Sequence, residues 1–237
     1  MTPFLNTLQT LFFPRRCPVC DKPVKPWNAL ICKECVSALR YIGPPRCMKC
    51  GKYIGENEKE YCSDCLSHPH LYDSGRALFS YRSVSDSLAR FKYHGRQEYA
   101  AFYAACIAEY LGNFIKACRA DALVPVPLHK SRLRKRGYNQ AQVLAKELSR
   151  ITGIPVYADW VGRVKKTVPM KDLPAAERQN NLKKAFKILR NDVKLNTIII
   201  IDDIYTTGST IDAMSHELRN AGVEHIHFVT LAVGRGI

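Results

Sequence analysis

Four consecutive isoleucines, Ile198 to Ile201, are too few for a helix face and apolar on both sides, which is the pattern of a parallel strand covered on both faces. The strand is expected to end on two carboxylates, Asp202 and Asp203. A short stretch rich in hydroxyls follows, Thr206, Thr207, Gly208, Ser209 and Thr210. Ile211, Met214, Leu218 and Ala221 then recur at helical spacing until Gly222 stops the helix. The predicted unit is a strand, an acidic pair, a phosphate-type loop and a helix.

The same periodicities predict the elements around it. Upstream they give a strand over Arg76–Tyr81, a helix over Val84–Tyr93 ending at His94-Gly95, and a long helix over Tyr99–Cys118. Leu123–Pro127 is a short buried strand whose prolines place it at an edge or an irregular exit. The cations of Lys130 to Arg136 are expected on a loop before a helix marked by Ala141, Leu144, Ala145, Leu148 and Ile151. Residues 163–178 lack periodicity, carry two prolines and several cations, and are predicted to be a mobile loop able to close over a site. Helical or extended structure resumes over Asn181–Leu189, and His225–Val233 supplies the last strand. The fold class is α/β with a parallel sheet.

Before residue 70 the texture is different. Phe4, Leu5, Leu8, Leu11 and Phe12 mark a short amphipathic helix, better suited to packing on the body than to a membrane surface, and it lacks the features of a signal peptide. No apolar run is long enough to span a bilayer. Eight of the ten cysteines then form four C-x-x-C pairs, Cys17/Cys20, Cys32/Cys35, Cys47/Cys50 and Cys62/Cys65, each beginning 15 residues after the last. Two thiolates so spaced can turn onto one tetrahedral ion, so four pairs predict two structural zinc sites. Neighbouring pairs close the shorter loops and are favoured, with a cross-braced pairing of alternate pairs as the other arrangement. Cys106 and Cys118 fall in a helical stretch and are expected to be buried thiols. The domains expected are 1–70, a helix and Cys-rich module, and 71–237, the α/β body.

The net charge of +15 changes the picture only through its location. Between Lys130 and Lys194 there are 17 Lys and Arg against 5 Asp and Glu, which points to a polyanionic ligand, a nucleic acid or both. The Cys-rich segment has only a small positive excess, which two tetrathiolate zinc centres, each about −2, would cancel. That module is a poor nucleic-acid clamp. The aromatics Phe91, Tyr93, Tyr99 and Phe102 are candidates for stacking on single-stranded DNA, or for the core.

The chemistry concentrates at the acidic pair. Backbone N–H groups of Thr207 to Thr210 at a helix N-terminus favour a phosphate, and two acceptor-only side chains at a strand end suit a pair of ribose hydroxyls. The loop is neither a Walker A sequence nor a G-x-G-x-x-G turn. Ile198–Thr210 resembles the 5-phosphoribosyl 1-pyrophosphate (PRPP) motif of type I phosphoribosyltransferases, with Tyr205 where that family more often has a small aliphatic residue.

FKYHGR at Phe91–Arg96, PVPLHKSRLRKRGYNQA at Pro125–Ala141, the acidic-pair loop and the cysteine ladder together resemble the ComF family, from about Cys17 to Leu231. In the segment after the basic loop, Leu173, Arg178 and Asn181 fit the family pattern, while Met170 stands at a position usually held by Gln. The resemblance implies a type I phosphoribosyltransferase-like domain behind an N-terminal double zinc ribbon, in a cytoplasmic protein that handles transforming DNA and works with a ComFA-like helicase. It implies PRPP with Mg²⁺ as ligand, the ribose hydroxyls on Asp202 and Asp203, the 5-phosphate on Thr206, Thr207, Gly208, Ser209 and Thr210, and Lys130, Arg132, Arg136 and Arg178 as candidates for pyrophosphate. No residue is assigned as acid or base. A PRPP-dependent transferase with a nitrogen acceptor and a non-catalytic adaptor that binds single-stranded DNA are both compatible with these residues.

Overall fold

A computed structural model describes residues 14–26, 29–55, 60–164 and 185–234. The N-terminal amphipathic segment, most of the basic loop after Val164 and Arg178 lie outside the described residues. The body is built on a four-stranded parallel sheet in the order β1 (Ser74–Ser80), β6 (His225–Val233), β5 (Thr197–Tyr205), β2 (Ala122–Pro125). A separate antiparallel pair is formed by β3 (Val161–Arg163) and β4 (Phe186–Ile188).

The run of isoleucines is apolar throughout because both faces of β5 are covered. Ile199 and Ile201 face a core with Leu88 and Phe91 of α2 (Tyr81–Tyr93), Tyr103 and Leu111 of α3 (Tyr99–Cys118), and Leu144 and Leu148 of α5 (Gln140–Thr152). Ile198 and Ile200 face Ile211, Met214 and Leu218 of α6 (Ser209–Asn220), together with Trp160 and Phe186. All four isoleucines are fully buried, each worth ~1.5–3 kcal/mol of apolar transfer.

Three expectations change. The strand does not stop at the carboxylates: β6 stays paired past them, with Asp202 opposite Thr230 and Tyr205 opposite Val233, so β5 continues to Tyr205. The cations after Pro127 lie on α4 (Lys130–Arg136) rather than a loop. Basic side chains are good helix formers, His129 Nδ1 caps the helix by accepting from the Ser131 N–H at 3.2 Å, and Gly137 ends it at φ 83°. Phe91, Tyr99 and Phe102 are core residues, and Tyr93, 68% exposed, lies under the Arg136 guanidinium at 5.0 Å. The helix predicted from Val84 begins three residues earlier, while β6 and α3 match their expected bounds and β2 takes the sheet edge its prolines require.

The Cys-rich segment, which ends in the short helix α1 (Ser63–Ser67), repeats one local turn. Asp21 N–H donates to Cys17 O and Gly51 N–H donates to Cys47 O, both at 2.9 Å, and both residues have positive φ, 58° and 71°. Glycine adopts that conformation freely; Asp21 adopts it because its carboxylate is held by the body. Tyr99 Oη donates to Asp21 Oδ1 at 2.6 Å, and Arg96 donates to Oδ2 at 3.0 Å. Burial would raise the Asp21 pKa, but the Tyr99 and Arg96 bonds outweigh it and hold the carboxyl below its usual value.

At the second turn Gly51 lies directly against β1. A Cβ on Gly51 would lie 2.4 Å from Gly75 O, and one on Gly75 would lie 2.1 Å from the Phe228 ring. Gly75 N–H also donates to Lys49 O at 2.8 Å. Gly75→Ala is therefore expected to force β1 and Phe228 apart and to cost at least ~1–3 kcal/mol, as overpacking does. Urea unfolding of the two proteins checks this, the expected result being a clearly lower midpoint for the variant.

Candidate functional site

The acidic pair sits at the carboxyl end of the sheet, on a central strand, and is buried. Asp202 is 9% and Asp203 8% exposed. Asp203 Oδ2 accepts from Gln140 Nε2 at 2.7 Å and forms an ion pair with the Lys92 ammonium at 3.0 Å. Asp202 Oδ1 accepts from the Asp203 N–H at 2.8 Å. Burial and then the neighbouring Asp203 charge push the Asp202 carboxyl up to about 7.

The two long motifs supply these partners. Within Phe91–Arg96, Phe91 packs in the core, Lys92 reaches Asp203 and Arg96 holds Asp21. Within Gly137–Gln140, Gly137 caps α4 and Tyr138 Oη donates to Phe91 O. Asn139 caps α5 by accepting from Ala141 N–H at 3.1 Å and donates to Val126 O at 3.0 Å; Gln140 then reaches Asp203. Lys92, Asn139 and Gln140 were not among the residues expected at the site from sequence. Their signal was available: a lysine on the last turn of an amphipathic helix, and two amides at a helix entry otherwise written in apolar residues.

Beyond the pair, the chain turns into α6 through Thr206 and Thr207, both exposed, and Gly208, at φ 80°. Gly208 is the N-cap of α6 and brings no side chain to its open N–H groups, so the first turn keeps donors for an anion. Thr207 Oγ1 and Ser209 Oγ are 2.8 Å apart. The acid of that first turn, Asp212, is turned away from the loop: its Oδ2 is 2.7 Å from His70 Nδ1, and its Oδ1 accepts from Leu71 N–H at 2.9 Å. His70 thus ties the segment before β1 to α6.

The expected cations are distributed unevenly. Arg136 donates to Gln140 Oε1 and so joins the network on Asp203. Arg132 is close enough to Arg163 of β3 for their charges to interact, and Arg163 also feels Asp202. Burial, then the Arg132 charge, lowers the Arg163 pKa. Lys130 is exposed at the start of α4.

The wall behind the loop is aromatic and shares a core with the second Cys cluster. Tyr205 stacks on Phe228 with centroids 4.9 Å apart, and its Oη is 2.7 Å from Tyr72 Oη. The Tyr72 ring stacks on His70 at 4.8 Å. Lys49 and Lys52 lie over the Tyr72 and Tyr205 rings at 5.5 and 5.6 Å. A Cβ on Gly208 would lie 2.8 Å from Tyr205 Oη and 2.9 Å from His70 Cε1, so the loop rests directly on this aromatic wall.

The cysteines gather by neighbouring pairs. Cys17, Cys20, Cys32 and Cys35 form one group and Cys47, Cys50, Cys62 and Cys65 the other, with the sulfurs of each within 4.8 Å of one another. Cys20–Cys32 and Cys50–Cys62 sulfur separations are 3.9 and 3.6 Å. A tetrahedron with metal–sulfur bonds of ~2.3 Å has edges of ~3.8 Å, so both groups fit zinc. Cys106 is buried and Cys118 partly so. Among the described residues no helix is long and apolar enough to cross a membrane.

Comparison with known proteins agrees with this architecture. A family model described as a double zinc ribbon domain matches residues 8–66, and one described as a phosphoribosyl transferase domain matches residues 133–236. Competence protein F of Haemophilus influenzae is 31% identical over 231 residues, 93% of this chain and 98% of that protein. DNA utilization protein YhgH of Salmonella typhi is 30% identical, covering 90% of this chain and 94% of its own length. Competence protein ComFC of Bacillus subtilis is 29% identical, covering 82% and 85%. The chain belongs to the ComF family that these proteins represent.

The two clusters are expected to differ in what they hold. Metal analysis should return two zinc ions per chain. Cys17→Ser with Cys20→Ser should remove one and leave the thermal transition of the body in place. Cys47→Ser with Cys50→Ser should remove the other and lower that transition, because Cys47, Cys50 and Cys62 share a core with Tyr72, Tyr205 and Phe228. Equal effects from both double variants would contradict this division.

Proposed function

We propose that this ComF-family chain binds PRPP, or a ribose 5-phosphate ligand built like it, at the end of β5 and acts in the cytoplasm in handling transforming DNA. The observation that carries the ligand reading is the buried acidic pair lying one turn before the uncapped N-terminus of α6. Carboxylates accept hydroxyl hydrogens and open N–H groups bind a phosphate, and a ribose 5-phosphate carries both kinds of group. Support for the DNA role is the naming of the relatives, Competence protein F, ComFC and DNA utilization protein YhgH.

In this reading Asp202 and Asp203 take the ribose hydroxyls, and Thr206, Thr207, Gly208, Ser209 and Thr210 take the 5-phosphate. Arg132, Arg136 and, from outside the described residues, Arg178 face the pyrophosphate with Mg²⁺. Lys130, Arg134 and Lys135 on the exposed side of α4 are available to a nucleic-acid backbone. A ComFA-like helicase is the proposed protein partner. The same ligand residues favour a second reading, a transferase in which the bond from C1 to pyrophosphate breaks and one from C1 to a nitrogen acceptor forms. The chain's part there is to hold the ribose, meet the charge of departing pyrophosphate and exclude water.

Calorimetry with PRPP and Mg²⁺ tests the ligand. Asp202→Asn and Asp203→Asn are each expected to cost ~1.5–3 kcal/mol, the worth of a hydrogen bond to a charged group. Unchanged affinity in the double variant would remove the ribose from this pair. The pH profile carries a sign. Asp202 has its folded-state value raised to about 7, so it takes up a proton as pH falls from 8 to 6 and accepts hydroxyl bonds less well; affinity should fall over that interval. Asp202→Asn should remove that step, leaving only the secondary ionisations of the ligand's own phosphate groups, near pH ~6. Pyrophosphate release against a panel of nucleobases separates transferase from adaptor.

For the nucleic acid, a salt titration of labelled single-stranded DNA against wild type and an Arg134→Gln, Lys135→Gln variant is decisive. Each cation that pairs with a DNA phosphate should, once neutralised, reduce the log–log slope by ~0.7 while PRPP affinity stays unchanged. A slope near zero in both proteins would overturn direct DNA binding.

A further inference from the structure

We propose that Tyr93, with Arg136 over its ring, is a platform on which one unpaired base of a single-stranded DNA stacks. The proposal rests on the DNA reading above and names the side chain that touches a base. Tyr93 is the last residue of α2 and is 68% exposed, whereas Phe91, Tyr99 and Phe102, the other aromatics of this corner, are core residues. The Arg136 guanidinium lies over the ring, 5.0 Å from its centroid. With one face under a cation and most of the residue in solvent, the opposite face is open among the described residues.

The groups around the ring are fixed. Next to it in the chain, Lys92 forms an ion pair with Asp203 at 3.0 Å, and Phe91 O accepts from Tyr138 Oη, which ties the end of α2 to the start of α5. Over the ring, Arg136 donates to Gln140 Oε1, and Gln140 Nε2 donates to Asp203 at 2.7 Å. A surface held in this way loses little freedom when a ligand settles on it, so more of the contact energy remains as affinity. Stacking there reads no sequence, because every base has a π face.

Charge selects the occupant. Arg134 and Lys135 are exposed and share the last turn of α4 with Arg136, so cations for a phosphate backbone stand on the turn whose guanidinium covers the ring. An apolar side chain of a partner protein would make no use of them. A DNA duplex would, but its bases are stacked on one another and cannot turn a face to Tyr93. A single strand carries both the phosphates and the open base faces. Basic side chains beside an aromatic ring are the combination that holds unpaired strands.

The test measures binding of wild type and Tyr93→Ser to two labelled oligonucleotides of equal length, one of thymidines and one abasic throughout, by fluorescence anisotropy. Tyr93→Ser should bind the thymidine strand at least about fivefold more weakly, the loss of one stacked base, and the abasic strand within about twofold of wild type. Tyr93→Phe keeps the π face and should bind both strands as wild type does. Equal weakening of both strands by Tyr93→Ser would mean that the ring only holds Arg136 in place, and unchanged binding of both would mean that it takes no part; either result overturns the proposal. Should Tyr93→Ser fail to fold, Tyr93→Trp decides instead: the thymidine strand should quench the added indole fluorescence and the abasic strand should not, and equal quenching by both overturns the proposal. Wild type that binds neither strand would overturn the DNA reading itself. That result is distinct from wild type binding both strands equally, which keeps the DNA reading and removes the platform.

Discussion

Two adjacent carboxylates buried at the end of a central strand are an arrangement that water would oppose, and most of the surrounding structure answers to it. Isolated, each buried charge costs several kcal/mol. Here Asp203 is met by an ammonium and an amide, and Asp202 by a backbone N–H together with a raised proton affinity. Meeting that demand brings the last turn of α2 and the first residue of α5 to one point at the end of β5. The Tyr138 hydroxyl on Phe91 O ties those two ends to each other as well. Three stretches far apart in sequence, around residues 92, 140 and 203, are therefore one electrostatic unit.

The Cys-rich segment is joined to that unit at two places. Asp21, at the turn of the first cluster, is held by Arg96 and Tyr99 at the α2–α3 corner, so the helix that delivers Lys92 is anchored just past its end. Arg90 of the same helix donates to Val19 O at 2.7 Å. The second cluster does something different. It supplies Cys47, Cys50, Ile54 and Cys62 to the core that contains Tyr72, Tyr205 and Phe228, and the loop after β5 rests on Tyr205 and His70 through Gly208. One cluster braces the acidic pair, the other backs the loop.

Much of this was legible in the chain because the responsible signals are local. A run of four isoleucines can only be comfortable between two covered faces, and C-x-x-C spacing states its own chemistry. Loop length favoured the grouping of neighbouring cysteine pairs over the cross-braced one, and the sulfur positions decide for it. What escaped was decided by tertiary pairing. Nothing in Asp202 and Asp203 says that β6 continues alongside them, and that pairing is what carries β5 to Tyr205 and buries the pair. The cations of α4 read as a loop because five of them in seven residues mask helix propensity, while the cap that starts the helix is a histidine, a residue outside the usual capping set. Tyr205 looked like a departure from a small-residue position. Its reason is the aromatic wall contributed by residue 72 and by the strand of Phe228, neither of which is a neighbour in sequence.

The distribution of charge around the pair constrains what can bind. With Lys92 and Gln140 in place, the middle of the cleft is close to balanced and offers mainly hydrogen-bond acceptance. Positive charge near the pair comes from the open N-terminus of α6 and from the guanidinium groups of α4 and β3. A ligand that is anionic at both ends and hydroxylated between them matches this field. A nucleic-acid backbone, with one charge per phosphate along its length, would instead bring charge directly onto the acidic pair, where it would be repelled. On the proposed reading, DNA would therefore take the outer side of α4 and the sugar phosphate the cleft, so that the two ligands would share a basic helix but not a binding surface.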